Sequence, residues 1–319
     1  MSVNRGKVVI IGTSNVGSAV LNKIADFQLA SEIALIDLDM DRARGEALDT
    51  SHAMSSPYCT NIKIHPGTYE DCRDAGFIVI TAGPSILPGE TPDRLKLAST
   101  NSKIMRSIFS EIVKYTKDAM VIMITNPLDV ATYVVSTEFD YPRAKILGTG
   151  TMLETYRFRY ILAEHYAMDP KNIHGYVLGE HGNDAFVAWS TVNCAGLGID
   201  HLDEYFHFEK KLNRHEVEQG LIQAAYDVIN LKGFTNTGIA MVACRFIKAI
   251  LYNEHTILPC SAVLEGEYGM RGVALSIPRM ISRDGIVRSF EVRLPKDEME
   301  KLQGAERSVR SALDGAGVQ

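Results

Sequence analysis

The residues that most restrict the fold stand near the start of the chain. Val8-Val9-Ile10-Ile11 is an apolar run followed at once by Gly12-Thr13-Ser14-Asn15-Val16-Gly17. A strand covered on both faces reads as such a run. A glycine-bounded turn after it, opening a helix, is the context a phosphate-binding turn requires. Gly12 allows the tight turn and Gly17 allows close packing of helix on strand. The free N–H groups at the helix start offer a positive end to a pyrophosphate. The middle position, usually glycine, is Ser14. Its Cβ is expected to hinder backbone approach to the phosphates, whereas its hydroxyl supplies a donor.

The rest of the first half repeats this texture. Strands are predicted at Lys7–Ile11, Ile33–Asp37, Phe77–Thr81, Met120–Thr125 and Lys145–Leu147, with helical stretches such as Gly17–Phe27 and Arg94–Thr116 between them. Alternation of this kind predicts an α/β fold with a doubly wound parallel sheet. Asp37 ends the second strand, where an acid accepts from both ribose hydroxyls and repels a 2′-phosphate, so NAD is expected rather than NADP. After residue 147 the pattern changes. A helix is predicted at Thr151–Tyr166, short strands at Val177–Leu178 and Ala185–Thr191, and helices at His215–Asn230 and Thr237–Asn253. Antiparallel strands follow at Ala262–Tyr268, Val273–Ile281 and Ile286–Val292, and a charged helix at Lys296–Gly315. The expected division is 1–147 as a cofactor half and 148–319 as an α+β catalytic half with antiparallel strands.

Candidate chemistry concentrates in the second half. Gly179-Glu180-His181-Gly182-Asn183 places a histidine among glycines, where its ring can face an open site. Histidine gives and takes protons near neutral pH, so His181 is the leading general acid/base; a structural histidine in a turn is the competing reading. Such a histidine usually needs a carboxylate to fix its tautomer, and Glu154 is the candidate. Arg157 shares that helix face and has the fork that binds a carboxylate with two hydrogen bonds. A plain helical Glu–Arg surface pair competes with both roles. Asn126 ends a strand on the ligand-binding edge of the sheet, and its bond to Pro127 is a candidate cis bond. The segment from Gly83 to Arg94 is long and rich in turn residues, which reads as a mobile loop. Arg94 at its far end could close over a carbonyl once water is expelled.

Bulk properties exclude other classes. The net charge of -6 over 319 residues argues against nucleic acid or an anionic membrane as main partner. No apolar run approaches the ~20 residues of a membrane span. The five cysteines show no CxxC spacing, which suggests reduced thiols in the cytoplasm. No metal site is expected.

Taken together, Asp37, Thr81-Ala82-Gly83, Gly89-Glu90-Thr91, Asn126-Pro127, Gly148-Thr149-Gly150-Thr151, Arg157, Gly179-Glu180-His181-Gly182 and Lys232-Gly233-Phe234-Thr235 resemble the L-lactate/malate dehydrogenase family over nearly the whole chain. The resemblance implies a Rossmann-type NAD-binding domain and reduction of a 2-oxo acid by NADH. It implies that His181 protonates the oxo group, Arg157 binds the substrate carboxylate, Arg94 closes over the carbonyl, Asn126 bonds the reacting oxygen and Thr235 lines the pocket. Val16, Asp37, Ala82, Gly83 and Thr149 would contact NAD beside Gly12, Ser14, Gly17 and Asn126.

Three departures from the family pattern stand out. The acid orienting the histidine is normally aspartate and is Glu154 here, Ser14 replaces a glycine, and Pro92 and Asp93 lengthen the loop. The substrate-reading position falls on Ile86, which offers no charge partner, so oxaloacetate is expected to be poor. Pyruvate, reduced reversibly to (S)-lactate as in fermentation, is the first expectation. A larger apolar 2-oxo acid such as 2-oxoisocaproate is the second, and malate dehydrogenation the third. A non-catalytic NAD-binding protein is the reading from another class. Arg159 and His174 match a pair that binds fructose 1,6-bisphosphate between subunits in allosteric members; two unrelated surface residues are the alternative. The resemblance also implies a homotetramer.

Overall fold

The computed structural model describes residues 4–84, 94–209 and 211–318. Strand β1 (Asn4–Ile11) lies at the centre of a sheet, which is why Val8, Val9, Ile10 and Ile11 are all buried whichever face they point to. In chain order there follow α1 (Asn15–Asp26), β2 (Glu32–Ile36), α2 (Met40–Ala53), β3 (Lys63–Pro66), β4 (Ala75–Ile80) and α3 (Arg94–Ile112). Next come β5 (Met120–Met123), α4 (Leu128–Thr137), β6 (Ile146–Gly148) and α5 (Met152–Tyr166). The strands run parallel in the order β3-β2-β1-β4-β5-β6. Strand order reverses between β1 and β4, which opens a crevice at their carboxyl ends, where ligands bind in such sheets.

The second half adds antiparallel strands to the same sheet. β7 (Ile173–His174), β8 (Val177–Gly179), β9 (Ala185–Val187), β10 (Asn193–Cys194) and β11 (Leu197–Gly198) precede the helices α6 (Leu202–Tyr205), α7 (Arg214–Lys232) and α8 (Thr237–Leu251). Then come β12 (Thr256–Glu265), β13 (Arg271–Ser282), β14 (Gly285–Ser289) and α9 (Lys296–Gly315). Gly148 of β6 pairs with Ser261 of β12, so among the described residues the parallel part continues into β12-β13-β8-β9, with β14 also on β13. A separate small sheet holds β11-β10-β7.

Two apolar layers cover the parallel strands. On one side Val8, Ile10, Val79 and Ile122 pack with Val20 and Ile24 of α1 and with Phe246 and Ile247 of α8. On the other, Val9, Ile78 and Val121 pack with Phe109 and Val135. Because α8 comes from the second half, the first layer is shared by both halves.

Several elements differ from the sequence expectation. α2, α4 and β3 were not anticipated. β12 begins at Thr256 rather than Ala262, because Pro259 sits inside it opposite Pro278 of β13 and masks the strand pattern. The expected strand Ala185–Thr191 is β9 followed by a 3₁₀ turn at Trp189–Thr191. No single helix among the described residues is long and apolar enough to cross a membrane.

Candidate active site

The cofactor crevice is built from the segments that leave the parallel strands. Gly12 has φ +96, and a Cβ there would lie 2.7 Å from the Ala82 nitrogen, so the turn admits only glycine. A Cβ at Gly17 would lie 1.8 Å from the Gly12 carbonyl oxygen, which is how closely α1 approaches β1. Ser14 is the N-cap of α1 with φ -74 and ψ -162, an extended conformation open to any residue, so serine brings no backbone strain. Its exposed side chain makes no capping bond and is free to donate outward. Val16 follows, half-buried, in the first turn.

Asp37 leaves β2 beside this turn. Its Oδ2 accepts the Thr13 N–H at 2.6 Å and the Thr13 hydroxyl at 2.9 Å, and Oδ1 accepts the Asp39 N–H at 3.0 Å. Burial opposes its charge, but those donors and the nearby Arg42 outweigh it and hold the carboxyl below its usual range. The exposed start of α1 and this ionised acid suit a dinucleotide: open N–H groups for its phosphates, an anion for its ribose.

The next strand ends complete the wall. The Thr81 hydroxyl donates to the Gly12 carbonyl at 2.8 Å, and the Thr125 hydroxyl to the Ala82 carbonyl at 2.8 Å. Gly83 has φ +141, with Asn101 Oδ1 2.8 Å from where a Cβ would stand. The Thr149 hydroxyl donates to the Met123 carbonyl at 3.1 Å and is buried. Asn126 is exposed at the end of β5, and its bond to Pro127 is cis. Asn101, on α3, donates to the Asn126 carbonyl at 2.5 Å and to the Pro84 carbonyl at 3.2 Å. Sequence reasoning did not single out Asn101; an asparagine only 1% exposed on a long helix gives no signal until its partners are seen.

His181 sits in the turn between β8 and β9. Gly179 allows that turn with φ +93, where a Cβ would meet the Asp184 carbonyl at 2.9 Å. His181 Nδ1 lies 3.2 Å from both carboxylate oxygens of Glu154. Glu154 stands in the first turn of α5, where a helix end favours negative charge. Arg157 Nη1 is 3.5 Å from Glu154 Oε1. Burial resists charging of both members of the His–Glu pair. Their mutual attraction wins, so Glu154 is held below the usual carboxylate range, with Arg157 assisting. For His181 the charge and hydrogen bond of Glu154, then the charge of Asp129, overcome burial and raise the ring to about 9, against a smaller opposing effect of Arg157. Since Nδ1 faces Glu154, Nε2 is the ring's other edge for proton transfer. The extra methylene of Glu154 is thus accommodated.

The main chain of His181 is fixed from the other half. Its N–H donates to Asp129 Oδ2 at 2.7 Å, and the Ser261 hydroxyl donates to Asp129 Oδ1 at 2.5 Å. An acid among Leu128, Val130 and Ala131 was the one available signal for Asp129. Thr235 lies between α7 and α8, where the neighbouring Asn236 side chain donates to the Asn15 carbonyl at 3.4 Å and so bridges to the cofactor turn. Arg94 opens α3, but its side chain, like Ile86, lies outside the described residues. Arg159, on α5, donates to the Gly175 carbonyl at 3.4 Å, beside the exposed His174.

Residues 6–148 match the family model of the lactate/malate dehydrogenase NAD binding domain, and residues 151–316 match that of the lactate/malate dehydrogenase alpha/beta C-terminal domain. The chain is 74% identical over 316 residues to an L-lactate dehydrogenase of Selenomonas ruminantium, covering 99% of each. It is 49% identical to L-lactate dehydrogenase 2 of Clostridium acetobutylicum, covering 99% of this chain and 98% of that one. The structure is similar to a crystal structure of a minor L-lactate dehydrogenase from Enterococcus mundtii, with TM-score 0.90, 35% identity and 97% of each chain covered.

Proposed function

The chain belongs to the lactate/malate dehydrogenase family, and we propose that within it the protein reduces pyruvate reversibly to (S)-lactate with NADH. The observation that carries this reading is the His181–Glu154 pair, with Arg157 beside it, in a chain 74% identical to an L-lactate dehydrogenase.

On this reading residues 1–147 serve as the cofactor half and 148–319 as the catalytic half, which the family matches over 6–148 and 151–316 support. Gly12, Ser14, Val16 and Gly17 would hold the cofactor's phosphates and Asp37 its ribose, with Ala82, Gly83, Asn126 and Thr149 along the nicotinamide side. Bound NADH supplies the hydride. Arg157 binds the substrate carboxylate through the fork not used on Glu154, and Asn126 donates to the reacting oxygen. Thr235 lines the pocket, and Arg94 comes over the carbonyl. His181 delivers its Nε2 proton to the forming alkoxide and shares the proton it retains, on Nδ1, with Glu154. Raised to about 9, the ring holds its extra proton at neutral pH, the state that reduction needs.

Ile86 favours apolar side chains on the substrate and supports a second reading, reduction of larger 2-oxo acids of the 2-oxoisocaproate type. Purified protein assayed by NADH oxidation with pyruvate, oxaloacetate and 2-oxoisocaproate should show the highest kcat/KM with pyruvate and the lowest with oxaloacetate. Preference for the branched acid would move the assignment to the second reading, and preference for oxaloacetate would overturn both.

Regulation and assembly belong to the same reading. Arg159 is half-buried, its Nε has no hydrogen-bond partner, and burial together with nearby Arg245 disfavours its charge. An anion held between Arg159 and His174 would relieve this, which supports a fructose 1,6-bisphosphate site shared between subunits of a homotetramer. The free cysteines suit a cytoplasmic setting.

A further inference from the structure

Asp129 is a buried acid that the chemistry above leaves unused. It occupies the second position of α4, three residues after Asn126, and is 2% exposed. Both of its oxygens are engaged by the second half of the chain. Oδ2 takes the main-chain N–H of His181, in the turn after β8, and Oδ1 takes the hydroxyl of Ser261, on β12. Ser261 is itself held. Arg279 of β13, 1% exposed, donates to the carbonyl of Cys260 on one side of it, and to that of Ala262 at 3.2 Å on the other. A set of bonds, buried up to Asp129 and part-buried at its last link, therefore runs from β13 through β12 and α4 to the backbone of the acid/base histidine.

The turn that carries His181 needs such a hold. It spans 180–184 between two strands of three residues each, next to Gly179 and containing Gly182. Glu154 fixes the ring but not the main chain, and its carboxylate sits on a longer stem than aspartate provides. A reacting group must be held within about 0.5 Å of its productive place. We propose that Asp129 is a positioning residue for His181, acting as a main-chain anchor from the cofactor half that keeps the imidazole aligned between Glu154 and the substrate. The inference rests on His181 being the acid/base group. The charged groups around it are Glu154 and Arg157 of α5 and Asp129 of α4; those around Asp129 are Glu154, His181 and Arg279.

The test compares Asp129→Ala, Asp129→Asn and Ser261→Ala in the full-length protein. It measures kcat for pyruvate, NADH affinity by fluorescence, and the His181 titration by NMR without substrate. Asparagine keeps an oxygen for the His181 N–H and offers its amide to Ser261, so it is the conservative rescue. We expect Asp129→Ala to lose roughly 10²-fold in kcat, the cost of a misplacement near 1 Å, with NADH affinity within about twofold and the His181 midpoint lowered. Asp129→Asn should recover to within about tenfold of wild type. Ser261→Ala, which frees only the second oxygen, should lose several-fold and keeps the idea testable if Asp129→Ala does not fold. Equal damage from asparagine and alanine would overturn the proposal in favour of a role for charge alone. Wild-type kcat in both Asp129→Ala and Ser261→Ala, with an unmoved midpoint, would overturn it outright. A wild type inert toward every 2-oxo acid would defeat the lactate reading instead, and protection of the His181 N–H from hydrogen exchange, expected to be lost in Asp129→Ala and kept in Asp129→Asn, would still decide the role of Asp129.

Discussion

At the scale of single residues, Glu154 is the position where a departure from the family pattern meets a settled geometry. Its two oxygens lie equidistant from His181 Nδ1, and Arg157 shares one of them. On the proposed role of His181 the longer side chain is its adapted partner, and shortening it should do harm. Glu154→Asp withdraws the carboxylate by about one C–C bond, ~1.5 Å. We predict a fall in kcat for pyruvate of at least about tenfold, with NADH affinity preserved. A gain in turnover would show instead that the native site is strained by its glutamate. Ser14 teaches a related lesson. In an extended N-cap conformation the serine carries no backbone strain, so its effect on the cofactor rests on the Cβ and hydroxyl it presents to the phosphates, and Ser14→Gly read by NADH affinity decides between hindrance and an added donor.

At the scale of elements, the central strands and the long helices were legible because their residues carry strong periodic or continuous apolar signals. β1, β2, β4, β5 and β6 all lie within the expected runs or within a few residues of them. The elements that escaped notice bury little or bury it evenly. α2 rests on Ala43, Ala47 and Thr50, small side chains without a marked apolar stripe. α4 is buried on nearly every side and carries Val130, Val134 and Val135, so its sequence reads as readily as a strand. β3 is a four-residue edge strand ending in Pro66. The site divides in the same way. His181, Glu154, Arg157, Asp37 and the glycines could be named because their chemistry is costly to place by chance. Asn101 and Asp129 could not, since what distinguishes them is which backbone groups they hold, and these come from distant parts of the chain.

At the scale of the whole molecule, the two halves share one sheet and one apolar layer, and the main chain of His181 is bonded to Asp129 of the first half. Assembly extends the same logic outward. If Arg159 and His174 hold a bisphosphate between subunits, fructose 1,6-bisphosphate should lower the KM for pyruvate several-fold in the wild type and leave Arg159→Gln unaffected; equal responses from the two proteins would remove that site. The most direct test of the site concerns its proton. The pH dependence of kcat/KM for pyruvate, at saturating NADH, should be flat through neutral pH and fall with a midpoint near 9, because His181 must be protonated to donate and Glu154 keeps it so. Glu154→Gln should move that midpoint down toward the ordinary histidine value of 6.5. A wild-type midpoint already near 6.5, or one that Glu154→Gln leaves in place, would contradict the His181–Glu154 pair as the source of the proton.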